Sequence, residues 1–137
     1  MQYGGQGADP WFWKPNTAYV CVNAGGKKVR QIEVPAGCSL DVDLYIIHGT
    51  FDLHVTAKTK GKPTASTELE KKGLNAANDR GEMERFLFKL PARDKENPTK
   101  YTITISNNAS AWYGMSRYVT YSFTPRDALG TPVYEGQ

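Results

Sequence analysis

The side chains of this chain that could perform catalysis or bind a metal include two histidines that are close in the sequence. His48 sits at a turn, and His54 follows on the next predicted strand, on the same side as Asp52. A His/Asp set on one strand face could bind a metal weakly, but no third ligand follows at a spacing typical of zinc sites. We interpret these residues as turn and solvent-facing strand residues, so the sequence predicts no metal site.

Two aspartates, Asp41 and Asp43, form a second group with a chemical interpretation. They lie on the polar face of one predicted strand, where a rise of about 3.3 Å per residue places them about 6–7 Å apart. This spacing would suit the carboxylate pair of a glycosidase or part of a calcium site. A solvated strand face explains the same pair, and we favour that interpretation. A hydrolase is therefore the weakest of the functional hypotheses.

The cysteines and glycines add no catalytic or cofactor motif. Cys21 and Cys38 are too few for a disulfide scaffold and lack metal-ligand spacing, so we expect both to be reduced. Gly25-Gly26-Lys27 has neither Walker nor dinucleotide-binding spacing and is typical of a hairpin turn. The sequence predicts no enzyme, no catalytic residues and no cofactor.

Large aromatic residues are the most promising binding feature. Trp11 and Trp13 flank Phe12 ahead of the first predicted strand, and Trp112 and Tyr113 lie in the loop before the last strand. Tryptophan and tyrosine are enriched in binding hot spots because they combine a large contact area with a polar group. The first cluster could instead pack over an open end of the fold, since three exposed aromatics would promote aggregation.

Two arginines are close enough to these aromatics in the sequence to complete a binding site. Arg117 and Arg126 could frame such a site for carboxylate or phosphate recognition. The predicted binding residues are therefore Trp112, Tyr113, Arg117, Trp11 and Trp13.

Alternation of apolar and polar residues indicates the elements that must position these side chains. It runs through residues 29–57, interrupted by turns at Pro35-Ala36-Gly37 and His48-Gly49-Thr50, and returns at residues 84–90, 101–105 and 119–123. A period of two is typical of half-buried strands. It predicts an all-β, two-layer antiparallel β-sandwich of jelly-roll type with about seven to eight strands. The predicted core comprises Leu40, Val42, Leu44, Phe51, Leu53, Val55, Ile103 and Ile105.

The chain is predicted to be one domain with short extensions. Residues 1–15 form a glycine-rich arm that carries the first aromatic cluster, residues 16–125 form the sandwich, and residues 126–137 form a tail. Residues 59–81 are expected to be a charged loop with a short helix near Ser66 to Lys72, ended by Gly73. Basic and acidic residues are mixed in this region, as is typical of a solvated surface.

Composition and charge argue against several function classes. The 137 residues carry a formal charge of +3, which is too small and too mixed with acids for nucleic-acid binding. No apolar run approaches the roughly 20 residues of a membrane span, and the N-terminus lacks the features of a signal peptide. We therefore expect a cytoplasmic protein without a transmembrane segment, and leave peripheral membrane contact open.

Three segments carry a family pattern: VPAGCSLDVDLYIIHGTFDLHVTA, KYTITISNN and SRYVTYSF. In order, they supply a Pro/Gly turn, an alternating strand with small acids, a Gly-marked turn, an aromatic-aspartate strand, a strand closing in an asparagine and a final alternating strand. This pattern resembles a GOLD domain, the Golgi-dynamics β-sandwich of cargo receptors and cytosolic Golgi adaptors. The resemblance covers roughly residues 28–124 and implies a GOLD-like sandwich.

The chain departs from the lumenal GOLD proteins in two ways. The regions Val29 to Glu33 and Ile103 to Ile105, where those members carry a cysteine pair, contain none. Residues 125–137 also lack the pattern of the coiled-coil stalk and membrane span that follow the domain in those members. The resemblance is therefore to cytosolic, free-standing GOLD modules.

The resemblance implies a non-catalytic protein-interaction module, an adaptor or scaffold in trafficking or a cytoskeletal assembly, whose partner is another protein. The alternative is a sandwich that binds a carbohydrate or a lipid headgroup. That alternative would use Trp112, Tyr113, Arg117 and either Asp41 or Asp43.

Overall fold

The computed structural model describes residues 17–46, 49–75, 83–108 and 114–133. Within these ranges the chain forms β-strands only, so none of these residues belongs to a helix that could cross a membrane. The strands are β1 (Thr17–Val22), β2 (Lys27–Val34), β3 (Ser39–Ile46), β4 (Thr50–Thr59), β5 (Ser66–Asn75), β6 (Glu84–Leu90), β7 (Thr99–Asn107) and β8 (Arg117–Arg126).

The strands form two antiparallel sheets through nested pairing. Sheet A has the order β1-β8-β3-β6, and sheet B has the order β2-β7-β4-β5. Counted inwards from both ends, β1 pairs with β8, β2 with β7, β3 with β6 and β4 with β5. Two sheets built in this way from one doubled-over chain are a jelly roll. The prediction of an all-β, two-layer antiparallel sandwich is confirmed.

The inner faces of the two sheets form one hydrophobic core. All of the residues predicted for the core are at most 1% exposed. Val29 is the exception within the alternating segment: it is out of phase with Ile32 and Val34 and is half exposed on the outer face of sheet B. The period-two pattern therefore identified the buried face correctly in β3, β4 and β7.

Residues 66–75 form the edge strand β5, so the expectation of a charged loop with a short helix is wrong. β5 pairs with β4 along its length, from Ser66 opposite Ala57 to Asn75 opposite Thr50. Tertiary pairing here overrides the local helix propensity of Glu, Leu and Lys. The charged side chains suit an edge strand because they discourage pairing with another chain.

A β-bulge explains why the sequence pattern of β5 is hard to recognise. The register with β4 shifts between Phe51 and Leu53, and Gly73 lies in the left-handed region with φ of +73°. The Gly73 amide donates to the Asp52 carboxylate at 2.9 Å. The bulge inserts an extra residue, so Leu69 and Leu74 both pack against the core although they are out of phase.

Candidate functional site

The structure describes one of the five predicted binding residues, Arg117, which begins β8. Its side chain lies across Gly49, so that a Cβ atom at Gly49 would come within 2.2 Å of Arg117 Cδ. Its Nη1 donates to the Thr50 carbonyl oxygen at 3.4 Å. Arg117 therefore braces the β3–β4 connection. The remaining predicted residues lie outside the described residues: Trp11, Trp13, Trp112 and Tyr113.

Arg126 ends β8, so Arg117 and Arg126 do not frame one site and that interpretation is wrong. β8 is 10 residues long, which at about 3.3 Å per residue places its ends roughly 30 Å apart. Arg126 donates through Nε to Asp41 at 2.7 Å and through Nη1 to the Gly130 carbonyl oxygen at 2.9 Å. These bonds fix it at the far end of sheet A.

Asp41 and Asp43 have cationic partners, so a freely solvated strand face is the wrong interpretation for Asp41. Asp41 is 6% exposed, because Lys89 from β6, at 3.7 Å, and Arg126 cover it. Asp43 accepts two hydrogen bonds from Arg85, at 2.9 and 2.8 Å. Those cations compete with calcium and with any catalytic role for the two carboxylates.

The fold also keeps both aspartates away from Arg117. Asp43 lies opposite Ser122 and Asp41 opposite Thr124 on β8. At about 3.3 Å per residue, these positions are roughly 17 Å and 23 Å from Arg117 along the strand. The alternative ligand site built from Arg117 and one of these aspartates is therefore not assembled among these residues.

The described histidine and cysteine side chains do not form a catalytic or metal-binding group. His54 is exposed, with Nε2 3.4 Å from the Thr67 hydroxyl, and His48 lies outside the described residues. Cys21 and Cys38 are free thiols, and burial raises the pKa of Cys38. In the part of the chain that the structure describes, no three His, Cys, Asp or Glu side chains come together to hold a metal ion.

The outer surface of sheet A carries a group of aromatic side chains that the sequence analysis does not single out. Tyr19 from β1 and Tyr118 from β8 are 57% and 51% exposed. The strand register aligns Tyr19, Thr120 of β8, Tyr45 of β3 and Arg85 of β6 in one row across the sheet. We call Tyr19, Tyr45, Tyr118 and Arg85 the tyrosine face.

Ring stacking and an ion pair hold the tyrosine face in one arrangement. The rings of Tyr19 and Tyr118 stack with centroids 5.0 Å apart. Arg85 Cζ lies 5.6 Å from the centroid of the Tyr45 ring, within the range of a cation–π contact. Asp43 accepts hydrogen bonds from Arg85 and, at 3.5 Å, from the Tyr45 hydroxyl. Side chains restrained in this way lose less conformational entropy when a partner binds.

The tyrosine face carries one positive charge, on Arg85, near neutral pH. The hydrogen bond to Asp43 raises the pKa of the Arg85 guanidinium, which stays protonated. Interaction with Cys21 raises the pKa of Tyr118, and a tyrosine hydroxyl, with a usual pKa of about 10, is protonated near neutral pH. The face therefore combines aromatic area, phenolic hydroxyls and a guanidinium, the residue types enriched at protein interfaces.

A sequence signal for the tyrosine face exists in the strand phases. Tyr19, Tyr45 and Tyr118 each stand next to an inward-facing residue, at the position that alternation assigns to solvent. Single exposed apolar residues are common on protein surfaces. Three large aromatics at solvent positions are less common and can indicate a binding surface. The sequence does not show that β1, β8, β3 and β6 are neighbours, so it does not bring the three together.

Comparisons with known proteins identify no family for this chain. No protein-family model matches the chain, and no curated protein matches it. The class that the structure defines is an antiparallel β-sandwich with jelly-roll strand order. The resemblance to a GOLD domain stays a prediction.

Two solved structures show weak similarity to this chain. A chain in the structure of infectious bursal disease virus, Gx strain, has 16% sequence identity and a TM-score of 0.43, with coverage of 80% of this chain and 28% of that chain. A chain from the Gt strain has 15% identity and a TM-score of 0.32, with coverage of 80% and 32%. This chain thus spans less than a third of either viral chain. Similarity at this level supports no conclusion about this chain's family or function.

Proposed function

We propose that this protein is a non-catalytic protein-binding module of the adaptor or scaffold class, and that it binds its partner through the tyrosine face. The observation that carries the proposal is the pair of half-exposed, stacked rings of Tyr19 and Tyr118 on the outer surface of sheet A. Their exposure leaves contact area available, and their stacking restrains the conformation in which they would be contacted.

The shape and composition of the face favour a protein partner over a small molecule. Small-molecule sites are typically concave, whereas the tyrosine face is the outer surface of a four-stranded sheet. Tyrosine and arginine are enriched among the residues that contribute most to binding at protein interfaces. Asp43 holds Arg85 in place without covering it, since the Arg85 side chain is 54% exposed.

The proposal is tested by replacing both exposed tyrosines, as Tyr19→Ser/Tyr118→Ser, and comparing protein capture with that of the wild type. The matched control is Val29→Ser, which removes a half-exposed apolar side chain from the outer face of sheet B. Both variants should melt close to the wild type because the altered side chains lie outside the core. The double variant should bind a captured partner at least about 2 kcal/mol more weakly, which is a roughly thirtyfold larger dissociation constant. The control should bind that partner as the wild type does.

Other outcomes would assign the binding surface to other residues or contradict the proposed function. Capture of the same partners by wild type and by the tyrosine double variant would remove the tyrosine face from the interface. Loss of partners only in a Trp112→Ala/Tyr113→Ala variant would assign the contact to the loop before β8. A purified sample that turns over a substrate would reject the non-catalytic class.

A further inference from the structure

One end of sheet B carries four lysines around an open cavity. The cavity has a volume of about 340 Å³ and is lined by Lys58, Lys60, Lys62 and Lys100, with Glu33 as the carboxylate among the described lining residues. Lys58 lies on β4 and Lys100 on β7, while Lys60 and Lys62 belong to the β4–β5 connection. We call the four lysines the lysine cluster. Lys60 and Lys62 belong to the charged region 59–81, which the sequence pattern predicts to be solvated surface.

The sheet register sets two of these lysines directly against each other. Lys58 and Lys100 are partners across β4 and β7, and like charges at directly opposite positions destabilise an antiparallel pair. Glu33 is the partner of Lys100 on β2, but the ion pairs formed by the described residues include none of the four lysines. Asp94, whose pKa is lowered by backbone hydrogen bonds and also by Lys62, is a second carboxylate near the cluster. Four lysines against these two carboxylates leave an excess of positive charge that a bound anion would offset.

The backbone around the cavity is braced. The Lys60 amide donates to the Pro98 carbonyl oxygen at 2.9 Å, and the Lys62 amide donates to the Thr59 carbonyl oxygen at 3.0 Å. The buried hydroxyls of Thr59 and Thr99 are 3.0 Å apart and join β4 to β7 beneath the cavity. The connection that carries Lys60 and Lys62 is thus docked onto the start of β7 before any ligand binds, which reduces the entropy lost on binding.

We propose that the lysine cluster binds an anion carrying two or more phosphate groups. Lysine is a point-charge binder of phosphate, and four ammonium groups require more than one negative charge for compensation. The volume of about 340 Å³ lies within the range of small-molecule sites, about 300–1,000 Å³. The site is independent of the proposed protein-binding function, because it lies on sheet B and the tyrosine face lies on sheet A.

The test measures tripolyphosphate binding by calorimetry at low ionic strength, where exposed charges are least screened. The variant Lys58→Gln/Lys100→Gln removes the opposed pair. The matched control, Lys28→Gln/Lys72→Gln, makes the same change in net charge near the other end of sheet B. We expect saturable binding by the wild type and the control, and at least tenfold weaker binding by the Lys58/Lys100 variant. Without tripolyphosphate, that variant should melt at or above the wild-type temperature because the repulsion is gone.

Absence of saturable binding by the wild type would overturn the proposal. An equal loss in the Lys28/Lys72 control would also overturn it, because binding would then follow net charge rather than the site. If the Lys58/Lys100 variant does not fold, Lys60→Gln/Lys62→Gln in the β4–β5 connection takes its place, with the same tenfold expectation.

The source of the phosphate groups is distinguished by a second probe. Phosphatidylcholine vesicles with and without phosphatidylinositol bisphosphate are sedimented with the wild type and with the Lys58/Lys100 variant. Cluster-dependent sedimentation with the bisphosphate vesicles, together with tripolyphosphate binding, supports the site and assigns it to a lipid headgroup. Tripolyphosphate binding without sedimentation supports the site and assigns it to a soluble phosphate compound.

Discussion

Asn107, at the end of β7, bonds three other parts of the chain, two through its side chain and one through its backbone. Its Nδ2 donates to the carbonyl oxygens of Val22 at 2.9 Å and Met115 at 3.0 Å. Its backbone pairs with Gly25 and Gly26 in the turn between β1 and β2. The residue is 1% exposed, so its loss would leave carbonyl groups without a partner where water has little access.

We expect Asn107→Ala to lower the free energy of unfolding by about 1–3 kcal/mol, the usual cost of an unsatisfied buried polar group. The control is Asn108→Ala, which removes an exposed amide 3.3 Å from Asp52 and should change stability by less than about 0.5 kcal/mol. Urea unfolding of both variants measures the difference. Equal losses at the two positions would contradict a specific role for Asn107.

Gly49 is required for two separable reasons, its backbone conformation and its contact with Arg117. Its φ is +91°, and an added Cβ would overlap the Arg117 side chain. Gly61 has a similar φ of +88° with nothing within 4 Å of an added Cβ. The two glycines therefore separate the conformational cost from the steric cost.

We expect Gly61→Ala to cost about 1–2 kcal/mol for the left-handed conformation alone. Gly49→Ala should cost more, because Arg117 must move and loses its bond to Thr50. In an Arg117→Ala background the excess at Gly49 should disappear, a non-additivity that denaturant unfolding of the four variants measures. Equal costs at the two glycines in the wild-type background would contradict the contact.

At the scale of the elements, both open edges of the sandwich have a cation pointing inward over an aromatic ring. Arg30 on β2 donates to the Tyr121 hydroxyl at 2.7 Å and lies 5.6 Å from its ring centroid. Lys71 on β5 lies 5.8 Å from the Phe88 ring of β6. Long basic side chains can cover apolar surface while the charge stays near water, and inward charges on edge strands discourage edge-to-edge association.

We expect Arg30→Ala to lower the free energy of unfolding by about 1.5–3 kcal/mol, the scale of a hydrogen bond to a charged group. Lys71→Ala should cost only about 0.5–1 kcal/mol, as for an exposed cation–π contact. A double-mutant cycle of Arg30→Ala with Tyr121→Phe isolates the coupling between the two side chains. A coupling energy near zero would show that Arg30 contributes nothing through Tyr121.

At the scale of the whole molecule, burial of weak acids in the core predicts a stability that falls in alkaline solution. Burial raises the pKa of Cys38, Tyr101 and Tyr121 above their usual values. The folded protein then holds these protons at a pH where the unfolded chain releases them. The stabilisation is complete below the unfolded pKa values, about 8.5 for cysteine and 10 for tyrosine, and is lost as pH rises through the folded values.

We expect the free energy of unfolding to decline above about pH 9, and Tyr101→Phe to make the decline less steep above about pH 10. The phenylalanine keeps the buried ring and removes the group that titrates. Unfolding free energies measured from pH 7 to 11 for both proteins check this. A variant curve parallel to the wild type throughout would show that Tyr101 does not contribute.

The sequence by itself determined which faces of β3, β4 and β7 are buried. Alternation with a period of two is a local property, so Leu44, Leu53 and Ile103 could be assigned to the core without knowledge of their neighbours. β5 could not be predicted in this way, because its bulge interrupts the alternation of apolar and polar residues and its charged residues have helix propensity. The candidate site could not be predicted in this way, because a single solvent-facing tyrosine indicates a binding surface only when its neighbours in the sheet are known.

Only the tertiary structure decided which strands lie side by side. Asp41 meets Arg126 across 85 residues of sequence, Tyr19 stacks on Tyr118, and Lys58 faces Lys100, all through pairings that nested strand order creates. The physical reason is that alternation encodes only the side of a strand that faces the core. The choice of partner strand depends on the packing of the whole chain around that core, which no local segment records.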